Sequence, residues 1–225
     1  VVIGNGLLAK SMNLFVDQDD VLIFASGVSN SKENRSSEYD REFNLLRKFL
    51  GTEQKIIYFS TCSVLYDCIN QTDYIKHKIQ VENFIKSNFK NFIIFRLPNV
   101  VGHTENQHTS FNFFKKNLLD NLEINVEEGT TRYFIDVNDI VETISPIIKD
   151  QTQNKKEFNV CFNTKISIID FIGLMSDQLN VTPKINIIKK GCSFDVDNLG
   201  FLDLVDKKYK SIDQDYNYNL IKKYC

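Results

Sequence analysis

No stretch of this sequence stays apolar for the roughly 18–20 residues that a membrane-spanning helix requires, and no charged-then-apolar leader opens it. Neither sign of charge dominates. The 27 Lys and Arg stand against 29 Asp and Glu, a formal net charge of −2, so there is no general attraction to nucleic acid or to an anionic membrane. An anionic ligand must then be held by a local site. Cysteine is sparse and odd in number: Cys62, Cys68, Cys161, Cys192 and Cys225 include no CxxC pair. That pattern suits free thiols in a reducing cytoplasm better than a disulfide framework or a zinc site. His77, His103 and His108 have neither an HExxH spacing nor companion cysteines, so no metal is expected. Internal repeats are missing, as is any Pro/Gly-rich linker that would mark a domain boundary. What is left is a cytoplasmic protein without membrane or nucleic-acid partners. Its 225 residues, 42% hydrophobic, suffice for one core or for a core with a small appendage. The 18 Phe and 9 Tyr are expected in that core rather than on a base-stacking surface.

What is present is an alternation. Val1-Val2-Ile3 is a short β-branched run that meets Gly4-Asn5-Gly6, and Leu7, Leu8, Met12, Leu14 and Phe15 then recur at helical spacing. Strands are predicted at Val21–Ala25, Ile56–Phe59 and Phe92–Phe95, with helices around 38–50 and 74–87 between them. Uninterrupted apolar strands alternating with helices indicate a parallel sheet covered on both faces. Beyond Pro98 the pattern loosens. Helices are expected near 108–121, 137–149 and 167–180, and short strands at Phe158–Val160 and Ile185–Ile188. The last twenty-five residues are polar, Tyr-rich and hard to place.

Gly4-Asn5-Gly6-Leu7-Leu8-Ala9 fits G-x-G-x-x-G/A between a strand and a helix. The first glycine permits the tight turn, the second lets backbone approach a pyrophosphate, and the small third residue lets helix and strand pack closely. The acid that would bind the adenosine ribose should follow about 20 residues on, and two registers are open. If Val21–Ala25 is the usual second strand, Ser26, Ser29, Lys32 and Arg35 at its end form a partly basic set suited to a 2′-phosphate. If it is equivalent to the fourth strand, the intervening strands are missing. Phe24-Ala25-Ser26-Gly27 resembles the small-residue segment that follows the fourth strand in a known superfamily of such sheets, and that resemblance favours the second register.

Phe59-Ser60-Thr61-Cys62-Ser63-Val64 closes a strand with hydroxyls, and Tyr74 and Lys78 follow four apart, on one face of a helix. A phenol of ordinary pKa near 10 is a poor acid–base catalyst at pH 7, and a neighbouring ammonium lowers that value. Tyr218 and Lys222 match the same spacing, but they follow no hydroxyl-bearing strand. Cys62 has no histidine motif nearby and reads as a small buried residue.

Read in order, the glycine turn, Ser60-Thr61-Cys62-Ser63-Val64, Tyr74-x-x-x-Lys78 with Glu82, Arg96-Leu97-Pro98-Asn99-Val100-Val101-Gly102, and Gly129 to Ile140 resemble the extended short-chain dehydrogenase/reductases. That group holds nucleotide-sugar epimerases, dehydratases and ketoreductases. The likeness covers about residues 1–160. It implies a Rossmann-type, doubly wound parallel α/β sheet, here shortened, over 1–160, with a small substrate-binding or capping region over 161–225. It further implies NAD or NADP as cofactor, held by Gly4, Asn5, Gly6, Leu7, Leu8, Ala25, Ser26 and Lys78. Thr61, Tyr74 and Lys78 would be catalytic, and Asn99 and Arg132 would face a nucleotide-sugar substrate. Asp139 would be structural, an acid in the first turn of a helix.

Two departures narrow the reading. The gap between Thr61 and Tyr74 is about half the expected length, and the Asp-Glu pair that sugar dehydratases carry after the Thr is here Cys62 and Ser63. Dehydration is therefore discounted. The favoured activity is NAD(P)H-dependent reduction of a keto group on a nucleotide-linked deoxy sugar, in polysaccharide-precursor synthesis. A nucleotide-sugar epimerase with bound NAD and a non-catalytic cofactor-binding sensor or partner subunit are the alternatives. A homodimer stays open, as do the sugar and the nucleotide.

Overall fold

The computed structural model describes residues 1–66, 72–189, 191, 193–213 and 215–225. In chain order the first elements are β1 (Val2–Ile3), α1 (Leu7–Ser11), β2 (Val21–Phe24), α2 (Ser36–Arg47), β3 (Lys55–Thr61), α3 (Asp73–Asn88) and β4 (Phe92–Leu97). Then come β5 (Asn99–Val101), α4 (Ser110–Leu119), β6 (Glu123–Glu127), β7 (Thr131–Arg132), β8 (Phe134–Asp136), α5 (Val137–Lys149) and β9 (Lys156–Asn159). The last are β10 (Ile166–Ser167), α6 (Ile168–Leu179), β11 (Lys184–Ile188), α7 (Leu199–Leu202), α8 (Lys207–Lys210) and α9 (Asp215–Tyr224).

The chain divides into two compact units, one of residues 1–97 with 137–160, the other of 98–136 with 161–225. The sequence reading placed a single boundary at 160. The chain instead leaves the first unit at Pro98, returns with α5 and β9, and leaves again. The reason lies in residue pairing: Asn99–Val101 runs parallel to Phe134–Asp136, and that pair belongs with the second core.

The first unit is a five-stranded parallel sheet in the order β1-β2-β3-β4-β9. Its central strands are buried runs: Ile23 pairs with Ile57, which pairs in turn with Ile93. One face packs Leu22, Phe24, Ile56, Tyr58 and Ile94 against Leu46 of α2 and Val81 and Ile85 of α3. Phe59, Phe95 and Phe158, on three adjacent strands, stack with centroids 6.4 and 5.8 Å apart. α5 buries Ile140, Ile144, Ile147 and Ile148. At its carboxyl end the buried Lys55 donates from Nζ to the carbonyls of Ile148 and Asp150, each at 3.0 Å, a cation where the helix dipole is negative.

The order also settles the register of the second strand. In the doubly wound arrangement 3-2-1-4-5-6 the fourth strand flanks the first and is followed outward by the fifth and sixth. Here four strands, β2, β3, β4 and β9, run outward from β1 on one side, more than the two that the 2-3 side of that arrangement holds, so Val21–Phe24 takes the fourth strand's place.

The second unit holds three two-stranded pairs, β5-β8, β6-β11 and β7-β10, around a core of Phe111, Phe114, Phe134, Phe171, Met175 and Ile221 among others. Phe134 and Phe171 stack at 3.8 Å. The Tyr-rich tail belongs to this core. Tyr209 stacks on Phe162 at 5.3 Å, and the Asp136 amide donates to the Tyr216 hydroxyl oxygen at 2.9 Å. The Asp136 carboxylate takes Lys223 Nζ at 2.6 Å and the Tyr224 hydroxyl at 3.0 Å.

Candidate active site

The site grows from the carboxyl ends of parallel strands, where loops of such sheets hold ligands. After β1 the chain turns at Gly4 with φ +129°, and a Cβ there would stand 2.4 Å from the Ala25 carbonyl oxygen. That contact brings the glycine turn against Ala25 and Ser26, which follow β2. A Cβ on Gly6 would meet nothing within 4 Å, and Gly4, Asn5 and Gly6 are exposed. Gly6 caps α1 without a side-chain bond, so the first amides of the turn, including those of Leu7 and Leu8, have no helical acceptor. Ser26 is partly engaged: its Oγ and carbonyl accept from Arg41 at 3.2 and 3.3 Å.

Thr61 ends β3, and its Oγ1 accepts from the Ser63 amide at 3.2 Å. α3 starts one turn before Lys78 because Thr72 accepts the Ile75 amide, and this places Tyr74, half-buried, where the Thr61 hydroxyl acts on its phenol. Cys62 is buried, with Sγ 3.4 Å from the Arg96 carbonyl. Ser60 Oγ is buried without a hydrogen-bond partner among the described residues.

Lys78 lies in a closed cluster that sequence reading did not foresee. Its Nζ donates to Tyr58 Oη at 2.9 Å and to Glu42 Oε1 at 3.2 Å. Glu42 also accepts the Tyr58 hydroxyl at 2.8 Å and the Val28 amide at 2.7 Å, and its Oε2 lies 2.9 Å from His77 Nε2. Glu42 itself is fully buried. Desolvation alone would raise its pKa, but Lys78, His77 and the Val28 amide outweigh it and hold the carboxyl at about 2. Gly27 makes room for the cluster, since a Cβ there would sit 2.7 Å from Lys78 Nζ.

The consequence for Tyr74 runs against the sequence expectation. Lys78 stands 5.9 Å from the Tyr74 ring, yet burial pushes the phenol well above its ordinary pKa, and Glu42 adds to that. The Thr61 hydrogen bond pulls the other way. A lysine paired with a buried carboxylate offers little net positive charge to a neighbour. The signal that could have exposed Glu42 was a single acid on the inward face of α2, level with Leu46.

Glu82 and Arg96, both quoted in the resemblance, bind each other. Arg96 donates to the two Glu82 oxygens at 3.0 and 2.6 Å and also pairs with Glu157. They join α3 to β4 and β9. Asn99 and Arg132 belong to the second unit. Both ends of the Asn99 amide are used, by Ser110 Oγ at 2.8 Å and the Tyr133 carbonyl at 3.1 Å. Arg132 donates to the Thr131 carbonyl at 2.8 Å and lies over the Phe194 ring. It is half-buried, makes no ion pair among the described residues, and burial lowers its pKa. Asp139 sits in the first turn of α5. Cys62, Cys161 and Cys225 are free thiols; Cys68 and Cys192 lie outside the described residues. Among the described residues no group of three or more His, Cys, Asp or Glu is placed to hold a metal, and no helix is long and apolar enough to cross a membrane.

Solved structures bear out the Rossmann-type fold of this sheet. UDP-glucuronic acid 4-epimerase from Bacillus cereus, in complex with UDP-glucuronic acid and NAD, superposes with a TM-score of 0.71 at 18% identity, over 97% of this chain and 79% of that one. dTDP-glucose 4,6-dehydratase from Bacillus anthracis, in complex with NAD, gives 0.69 at 13% identity, over 97% and 76%. ADP-L-glycero-D-manno-heptose-6-epimerase from Helicobacter pylori gives 0.67 at 19% identity, over 91% and 71%. No family model and no curated protein matches the sequence. The chain thus has the fold of the extended short-chain dehydrogenase/reductases.

Proposed function

We propose that this protein is an NAD(P)H-dependent ketoreductase acting on a nucleotide-linked sugar, with Tyr74 as proton donor. The observation that carries the reading is the placement of Thr61 at the carboxyl end of β3 and of Tyr74 and Lys78 on the first turns of α3, in the same unit as the open glycine turn. The fit of a nicotinamide cofactor rests on the glycine turn, where Gly6 leaves open space for backbone to meet a pyrophosphate. Lys78, buried and bound to Tyr58 and Glu42, does not present its ammonium to a ribose in this arrangement, against the sequence expectation. NAD(P)H, when bound, supplies a hydride to the carbonyl carbon.

The chain's own residues do the rest. Thr61 donates a hydrogen bond to the carbonyl oxygen and so polarises it. Tyr74 then gives its phenolic proton to that oxygen as the alcohol forms. A phenol held above its ordinary pKa is protonated at neutral pH, which is the form a reduction consumes. The half-buried, unpaired Arg132 suits the diphosphate of a nucleotide sugar; Asn99, with both amide ends committed, would act by shaping its own loop.

A second reading, nucleotide-sugar epimerisation, is favoured by the solved structures, of which the Bacillus cereus and Helicobacter pylori proteins are epimerases by name. It would return the hydride to the same carbon and consume no cofactor. The two are separated by two incubations: one with NADH or NADPH and a panel of UDP- and dTDP-linked 4-keto sugars while following absorbance at the reduced-nicotinamide band, the other with NAD and the corresponding UDP- and dTDP-linked hydroxy sugars while following their stereoisomers. Stoichiometric loss of the band that disappears in Tyr74→Phe, with cofactor binding retained, is the expected result. Interconversion of sugar stereoisomers without loss of the band would replace ketoreduction by epimerisation. A Tyr74→Phe protein that turns over normally would end both.

A further inference from the structure

The connection between β1 and β2 says how much of a dinucleotide this chain can grip. In a doubly wound sheet the ligand lies across the point where strand order reverses. The adenosine half rests on the side of the second strand, whose terminal acid takes the ribose 2′-hydroxyl or whose neighbouring arginine takes a 2′-phosphate. Here β1 is an edge strand: among the described residues its one strand partner is β2. All of Gly4–Asp20, the connection from β1 to β2, is described. It contains α1 and a 3-10 turn over Asn13–Phe15, with Met12 and Phe15 fully buried. The chain goes from the glycine turn to the start of β2 without laying down a strand beyond β1, and so without a strand end from which a side chain could read the adenosine ribose.

The two arginines that follow β2 are already committed. Arg35 is bound to Glu33, Nε to Oε1 at 2.9 Å and Nη2 to Oε2 at 2.8 Å. Arg41 is taken by Glu38 at 3.1 Å and by Ser26. Both lie on the β2 side of β1, the side of the nicotinamide in this topology.

We propose that the protein holds a nicotinamide cofactor by its nicotinamide–pyrophosphate half and does not read the 2′ position of the adenosine ribose, so that NADH and NADPH are equivalent to it. This rests on the reading above that a reduced nicotinamide nucleotide binds at the glycine turn. Such a site also releases its cofactor readily, as a reductase that exchanges oxidised for reduced cofactor each turnover requires.

The test is a fluorescence titration of the full chain with NADH, NADPH and reduced nicotinamide mononucleotide, with AMP as competitor. The expected dissociation constants for NADH and NADPH agree within about threefold, the mononucleotide binds within about tenfold of them, and AMP at millimolar concentration displaces none. Arg35→Ala is expected to leave the NADPH constant unchanged. A preference for one dinucleotide of more than about tenfold, or a mononucleotide weaker by more than about a hundredfold, overturns the inference while leaving the proposed function standing. Binding of none of the three overturns the proposed function and this inference with it.

Discussion

Helix α3 carries two clusters of charge, one near each end, and they differ in how they are compensated. Near its start, Lys78 and His77 converge with Tyr58 and the Val28 amide on one carboxylate, Glu42, in a fully enclosed space. A turn further on, Glu82 and Glu157 share Arg96 and Lys86 at the sheet's margin, where Glu157 and Lys86 are each about one-third exposed. The first cluster has one anion for several donors and no water to replace it. The second has two anions, two cations and solvent on one side. The difference shows which charges the fold depends on: a buried carboxylate that every partner needs is costly to remove, while members of a solvated network can substitute for one another.

The largest expected effect is therefore at Glu42. Glu42→Ala leaves Lys78 buried without its carboxylate and should destabilise the protein by about 3–5 kcal/mol, measured by urea unfolding at pH 7. Glu42→Gln keeps the shape and should cost less. A Glu42→Ala protein within about 1 kcal/mol of wild type would mean that Lys78 finds another partner and that the cluster is not the anchor described.

The same group predicts an acid dependence. Glu42 has a folded-state pKa of about 2 against an ordinary 4.5. A lowered carboxyl pKa contributes stability that is complete above the unfolded value and lost as pH falls toward the folded one. The contribution is about 3 kcal/mol, disappearing between about pH 5 and pH 2. Comparing unfolding free energies of wild type and Glu42→Gln from pH 7 to pH 3 isolates it, because the variant should show a shallower decline. Parallel declines would assign the acid sensitivity to other carboxylates.

Much of the sheet could be read from sequence because its signal is local: Val21–Phe24, Ile56–Phe59 and Phe92–Phe95 are apolar runs that no helix period explains, and α5 shows its stripe of isoleucines. That Tyr74 and Lys78 share one helix was legible because a spacing of four is a geometric statement. The Glu42 cluster was not, since it joins α2, β3, α3 and the loop at Val28 through bonds between residues up to 36 apart in sequence, and an acid on the inward face of α2 is too slight a local signal to show those partners. The second unit was obscure for a related reason. Its strands are two to five residues long, too short for periodicity to register, and its polar tail is ordered by the buried ends of Tyr209, Tyr216 and Tyr224.

At the other end of α3 the expected costs fall. Arg96 forms a bidentate pair with Glu82 and is largely buried. Arg96→Met keeps the aliphatic packing but strands Glu82, whose side chain is almost inaccessible, and should cost about 2 kcal/mol. Thermal unfolding of the single variant and of Arg96→Met with Glu82→Gln gives the check, since the second change should recover part of the loss. If it recovers nothing, the pair acts through packing alone.

Lys86→Ala should have the smallest effect. Its ammonium lies 2.7 Å from Glu157 and 3.6 Å from Glu82, but it is about one-third exposed, and Arg96 already bonds both carboxylates. Solvent and salt screen what remains, so the expected loss is below about 1 kcal/mol and should shrink further as ionic strength rises. Urea unfolding of the variant at low and at high salt measures both. A loss as large as that of Arg96→Met, or one indifferent to salt, would show that the marginal cluster is as closed as the one around Glu42, and the contrast between the two ends of the helix would fail.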